Sequence, residues 1–183
     1  MNRIRIDTRI YTCAPQANGR LDTEMATYAL LDSLGMAYHR LDHDATAAVE
    51  DCIEVEKTLG IEICKNLFLC NASRTAYYLL LMPGGKKYRA PLLSRQLGTT
   101  RLSFADAKSM EQLLRLTPGA VSVLGLMNDK AHAVRLLIDK DVLQHRHIGC
   151  HPCVNTSSLK VSLDEVLNKF LQHTGHQPTY VTL

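Results

Sequence analysis

The chain has 183 residues, 46% hydrophobic and 21% charged, with 21 Lys plus Arg against 18 Asp plus Glu. That length is most simply one domain, able to bury about 70% of its unfolded surface without a metal or disulfide staple. A net charge of +3 does not by itself identify a nucleic-acid binder, no apolar run is long enough to span a bilayer, and the opening MNRIRIDTRIYTC lacks the apolar core of a signal peptide, so the expectation is a soluble, cytosolic protein.

Residues 1–20 are expected to be a loosely attached lead-in ending at Pro15, Asn18 and Gly19, with one domain over residues 21–183. LDTEMATYALLDSLG predicts a helix capped by Asp22 or Thr23, with Met25, Ala29, Leu30 and Leu34 on its inner face and Gly35 just past its end. AYHRLDH alternates as a strand, and AAVEDCIEVEKTLG predicts a second helix closed by Gly60. NLFLC and AYYLLLM, separated by the turn NASRT, predict a hairpin. Pro83, Gly84 and Gly85 break the chain before PLLSRQLG, a short helix with Pro91 in its first turn.

RLSFA predicts a strand and DAKSMEQLLRL a helix stopped by Thr117, Pro118 and Gly119. AVSVLGL has the β-branched, apolar character of a buried strand, MNDKAH reads as a turn and AVRLLID as the returning strand. DKDVLQH is about one helical turn, and HIGCHPCVNT is too polar and kinked to be regular. LKV, SLDEVLNKFLQHTG and TYVTL predict a short strand, a last helix and a closing strand. Hairpins between helices imply an α/β chain of mixed α+β type, with a mixed sheet flanked by helices.

The residues carry no Gly-rich phosphate loop and no Gly-x-Ser-x-Gly elbow. Cys150-His151-Pro152-Cys153 has the two-residue gap of a zinc or redox pair, yet no second such pair completes a structural zinc site. The other reading of these cysteines is a pair of buried thiols beside a polar loop. His151 is equally a hydrogen-bonded loop residue or a site residue. Lys65, just before the apolar run NLFLC, is either a snorkelling surface lysine or a cation holding a phosphate or a carboxyl-type oxygen. Asn128-Asp129 suits a turn between strands. Lys86, Lys87, Arg89, Arg95 and Arg101 gather in one stretch, either a polyanion contact or a solvated face.

Together, CKNLFLCNASRTAYYLLLMPG, LGTTRLSFADAKSMEQLLRLTPGAVSVLGLMND, VRLLIDKDVLQHRHIGCHPCVNTSSLKVS and TGHQPTYV resemble the YbaK-type aminoacyl-tRNA editing family, most of all its free-standing prolyl-tRNA editing branch (ProXp-ala, PrdX). The match is collinear from about Leu21 to Val181. It implies a mixed, partly closed β-sheet surrounded by helices, with one crevice for the end of an acylated tRNA. The implied reaction is metal-free hydrolysis of the ester of alanine mischarged on tRNA(Pro), with no cofactor, water as nucleophile and the substrate's own ribose hydroxyl assisting. The implied partner is the 3′ end of tRNA(Pro), with prolyl-tRNA synthetase nearby and no membrane.

By the same resemblance Lys65 engages the terminal nucleotide, with Asn66 beside it. Gly125, Leu126 and Asn128 line the crevice, and His151, Pro152 and Asn155 form its loop, His151 positioning the substrate or acting as general base. A synthetase pocket shaped for proline excludes the smaller alanine by only ~1–3 kcal/mol, so a second sieve is needed. The chain departs from the family pattern at Cys64, at Cys150 and Cys153 around the His-Pro pair, and at His43-Asp44-Ala45-Thr46, where relatives carry prolines. These departures bear on amino-acid specificity. Cysteinyl-tRNA(Pro) or another small aminoacyl-tRNA is the alternative substrate, and a non-catalytic tRNA-binding homologue the alternative role.

Overall fold

The computed structural model describes residues 4–45 and 49–183. Helix α1 (Asp22–Ser33) and strand β1 (Tyr38–Asp42) precede helix α2 (Val49–Leu59), and the hairpin of β2 (Lys65–Cys70) and β3 (Tyr77–Met82) leads to α3 (Ala90–Leu97). Next come β4 (Ser103–Phe104), α4 (Ala107–Leu114), a 3-10 turn (Val123–Asn128) and β5 (Val134–Asp139). A second 3-10 turn (Lys140–Gln144), β6 (His147–Cys150), β7 (Ser157–Ser162), a helical run over residues 163–174 and β8 (Thr179–Val181) complete the chain. Thr46, expected in the loop before α2, and Ala47 and Ala48, expected in its first turn, lie outside the described residues.

The strands form two sheets, a three-stranded antiparallel one ordered β1-β7-β6 and a five-stranded mixed one ordered β4-β2-β3-β5-β8. The run YYLLLM is apolar throughout because both faces of β3 are covered. Leu79 and Leu81 enter the main core with Phe68, Leu136 and Ile138, while Tyr78, Leu80 and Met82 join a second cluster under Leu93 of α3. A parallel bridge joins the sheets: Ile63 pairs with Gly149, and the Cys64 amide donates to the Gly149 carbonyl at 3.0 Å. This bridge makes the β-structure partly closed, as expected from the resemblance. A side chain at Gly149 would put its Cβ 2.9 Å from Ile63 Cα, so the two segments meet there only because one is a glycine.

The described part of the lead-in is not loose. Tyr11 exchanges two backbone hydrogen bonds with Arg40, the Asp7 amide donates to the Asp42 carbonyl, and Ile6 bridges His43, so this arm runs antiparallel along the free edge of β1. Ile4 and Ile6 pack against the cluster of Leu41 with Val55 and Leu59 of α2, which Ile61 and Ile63 also border.

Other expectations are corrected. Leu21, not Asp22 or Thr23, occupies the position before the first turn of α1, and among the described residues no side chain caps it. Its buried stripe is Glu24, Thr27, Tyr28 and Leu31, with Ala29 exposed. The stripe escapes a search for apolar residues because Glu24 is buried against Arg20 (2.9 Å) and the Thr27 hydroxyl donates to the Thr23 carbonyl. AVSVLGL is not a strand. Ser122 caps the 3-10 turn by accepting from the Leu124 amide, and both edges of β5 are taken in parallel pairing by β3 and β8. A buried apolar run has the same composition in either conformation. HIGC, expected to be irregular, is strand β6, because β7 supplies an antiparallel partner. Among the described residues no helix is long and apolar enough to cross a membrane.

Candidate active site

Lys65 opens β2, opposite Met82, and its ammonium donates at 2.9 Å to the carbonyl of Lys86 in the loop after β3. Lys86 is itself held: its Nζ lies 2.8 Å from the fully buried carboxylate of Asp139 and 2.6 Å from Asp141. Beside Lys65 is a cleft of about 440 Å³, walled by Ile53 and Glu56 of α2, by Glu62 and Cys64 before β2, and by Gly84 and Gly85. The glycines have a reason. A Cβ at Gly84 would strike the Ile63 carbonyl, and the Gly85 amide donates to Glu62.

Burial, reinforced by the charges of Glu62 and Glu56, pushes the Cys64 thiol up to about 12, so it lines the cleft as an un-ionised group and not as a thiolate nucleophile. Asn66 donates to the Cys64 carbonyl at 3.1 Å. Its own side-chain oxygen is buried and has no partner among the described residues.

On the other side of the inter-sheet bridge lies the His151 loop. The His151 Nδ1 is 2.9 Å from the Ser157 carbonyl, which can only accept, so Nδ1 carries the proton and Nε2 keeps its lone pair. His43 is fixed in the same way by the Asp44 carbonyl at 2.8 Å, and its Nε2 accepts from the Ser158 hydroxyl at 2.9 Å. The two rings sit 6.3 Å apart. Burial lowers the pKa of both below 6.5, and His43 depresses His151 further, so both are neutral imidazoles at neutral pH. Pro152 is buried, and Cys153 takes the left-handed conformation (φ 62°), which turns the chain sharply after the His-Pro pair. A second recess, about 590 Å³, lies beside this loop and takes in Asn155, Thr156, His43, Asp42 and Arg20.

The Ile63–Gly149 bridge relates the two halves. Lys65 and His151 each stand two residues beyond it on segments that start out parallel. Asn66 and Pro152 follow them. The third group of expected residues lies elsewhere. Gly125 and Leu126 are buried in the main core and border neither recess, with Leu126 only 1% exposed. A Cβ at Gly125 would sit 2.6 Å from Leu116 Cδ1, which gives that glycine a packing role. Asn128 donates to the Leu114 carbonyl at 2.9 Å and closes the end of α4. Asp129 caps the start of β5, accepting from the amides of Ala133 and Val134, and meets His176 at 3.2 Å.

Cys150 and Cys153 are buried thiols. Burial raises both pKa values, that of Cys153 to about 11. Among the described residues no three His, Cys, Asp or Glu side chains converge as a metal-ligand set. The residues missed from sequence are Glu56, Glu62, Ser158 and Asp139, the last of which pairs with the Lys86 of the basic stretch. Pro83-Gly84-Gly85, taken only as a chain break, was the available signal for the cleft floor.

Residues 43–169 match the family model described as "Aminoacyl-tRNA editing domain". The chain is 30% identical over 156 residues to the "Prolyl-tRNA editing protein ProX" of Acetoanaerobium sticklandii, covering 85% of this chain and 94% of that one. It is 28% identical to the "Prolyl-tRNA synthetase associated domain-containing protein 1" of Danio rerio, covering 78% and 77%. A solved structure described as a candidate trans-editing enzyme for prolyl tRNA synthetase superposes with a TM-score of 0.66 at 16% identity, over 90% of this chain and 99% of that one, which establishes a shared fold. With the matched segment spanning β2, the cleft at Lys65 and the His151 loop, the chain belongs to the aminoacyl-tRNA editing domain family.

Proposed function

We propose that this chain removes alanine from mischarged tRNA(Pro), acting in trans on the released aminoacyl-tRNA. It is an aminoacyl-tRNA hydrolase, and its likeness to a prolyl-tRNA editing protein supports mischarged tRNA(Pro) as the substrate. The observation that carries the reading is the cleft beside Lys65, where a fixed ammonium, the Gly84-Gly85 backbone and the un-ionised Cys64 thiol border a space of about 440 Å³. That is roughly fifteen times the ~30 Å³ share of a liquid water. It therefore takes the terminal nucleoside together with a small acyl group, and discrimination against proline rests on how much room the nucleoside leaves.

In the proposed reaction water attacks the ester carbonyl carbon, the bond to the ribose oxygen breaks, and that oxygen leaves with a proton as a hydroxyl. The chain's part is positioning and charge. Lys65, anchored by the Lys86 carbonyl, faces the nucleotide phosphate or the developing oxyanion. His151, neutral and locked by Ser157, lies across the inter-sheet bridge from the Lys65 cleft and takes a positioning role, holding the loop that carries Asn155. Asn66, Pro152 and Asn155 shape the site around them, while Gly125, Leu126 and Asn128 pack the core away from it. The protein works as a soluble cytoplasmic enzyme with the tRNA 3′ end as its partner, and prolyl-tRNA synthetase as the source of the error. Deacylation of alanyl-, cysteinyl- and prolyl-tRNA(Pro) by purified protein tests this. Alanine should be cleared fastest and proline spared. Faster clearance of cysteine reassigns the specificity, and no hydrolysis of any of the three refutes the reading.

A further inference from the structure

The loop after β3 has two ends. Gly84 and Gly85 border the Lys65 cleft, and Tyr88 and Arg89 border a separate groove of about 600 Å³ running along α3 to Arg95 and Arg101. Among the described residues no acidic side chain lines this groove. All three arginines are exposed, and among the described residues none of them is ion-paired. The Tyr88 hydroxyl is buried without a hydrogen-bond partner among the described residues. At the groove's edge Phe104 is 66% exposed, its ring 6.0 Å from that of Tyr88. The first turn of α3 opens on the same side with no side-chain cap on its free amides.

Unpaired guanidiniums in a concave face match phosphate oxygens, which they bind as two-pronged donors. An exposed aromatic beside them has no use for an acidic peptide, but offers a stacking face to a base. We propose that this arginine groove seats the sugar-phosphate backbone of the acceptor end of the tRNA, with Phe104 stacking on an unpaired base near its 3′ terminus. The inference rests on the reading of the chain as a tRNA editor, because it uses the shared loop to run the RNA from the groove to the Lys65 cleft. A nucleic acid held by phosphates answers to salt, and one held by stacking does not.

The test is binding of uncharged tRNA(Pro) by fluorescence anisotropy across a KCl series, with melting curves confirming that each variant folds. Arg95→Ala/Arg101→Ala should raise Kd at least tenfold and reduce the slope of log K against log salt by about two. Phe104→Ala should weaken binding and leave that slope unchanged. Unaltered Kd and slope in the double variant overturn the proposal. So does loss of poly-glutamate binding with tRNA binding retained, which would make the groove a protein-docking face. Because uncharged tRNA is the probe, the outcome stands apart from hydrolysis: a chain that binds tRNA through the groove yet deacylates nothing refutes the proposed activity and leaves the groove assignment intact.

Discussion

The ammonium of Lys65 is tethered to the backbone carbonyl of Lys86 across 2.9 Å. Lys86 in turn is fixed by Asp139, a carboxylate with no solvent exposure, 53 residues further along the chain. The position of the proposed catalytic cation therefore depends on a buried acid at the end of β5. Asp139→Asn should remove the charge that holds Lys86, at about 1.5–3 kcal/mol of stability, and lower deacylation while the chain remains folded. Urea melts and kcat/KM for alanyl-tRNA(Pro) check both halves. Normal turnover in a destabilised variant would show that the tether does not matter to chemistry.

Lys65→Ala removes the cation itself. Loss of a preorganised charge at a developing oxyanion costs about 10²–10³ in rate. We expect a fall of that order in kcat/KM with the melting temperature near that of the parent, since the side chain is exposed and, among the described residues, makes one hydrogen bond, to the Lys86 carbonyl. Undiminished activity removes Lys65 from the site.

Gly149→Ala probes the join between the sheets. Its Cβ would meet Ile63 Cα at 2.9 Å and the Glu62 carbonyl at 3.0 Å, both backbone and neither able to swing away. Overpacking of this kind costs about 1–3 kcal/mol. The segments carrying Lys65 and His151 should be pushed apart, so activity should fall by more than Leu80→Ala lowers it. That second variant weakens the core on the other side of the five-stranded sheet by about 2–5 kcal/mol. Equal losses of activity in the two would mean that only global stability is being sensed.

His43 and His151 set a pH dependence. Burial lowers both pKa values below 6.5 in the folded chain, while the unfolded chain binds these protons near that pH. Between those limits the unfolded state holds more protons, so stability must fall as the pH is lowered through 6.5 and level off once the folded-state values are passed. Urea midpoints at pH 7.5, 6.5 and 5.5 should decline in the parent and decline less in His43→Gln/His151→Gln. Identical declines would assign the effect to other groups.

Much of this architecture was legible in the residues. The β2–β3 hairpin was plain from two apolar runs around a polar turn, and α3 from Pro91 in its first turn, while its stop at Gly98, in the left-handed conformation (φ 61°), is a finding of the structure. Residues 120–126 were not legible. Their burial rewards apolarity in any backbone shape, and the strand they were expected to pair with is satisfied by β3 and β8. On α1 the expected Met25, Leu30 and Leu34 do pack half-buried against the core, but the fully buried positions include a glutamate and a threonine that a search for apolar residues passes over. At the site, Lys65 could be singled out from its neighbours in sequence. The tether through Lys86 to Asp139 joins distant segments by a main-chain carbonyl, which any residue type supplies and no pattern of side chains announces.

The arm over residues 4–11 has a consequence for handling the molecule. By pairing with β1 it occupies backbone groups that would otherwise face outward as an unsatisfied strand margin. Such margins recruit strands from other molecules. Trimming the first dozen residues to tidy an expression vector would therefore expose an adhesive border, and the shortened protein should precipitate at concentrations where the full chain stays dispersed.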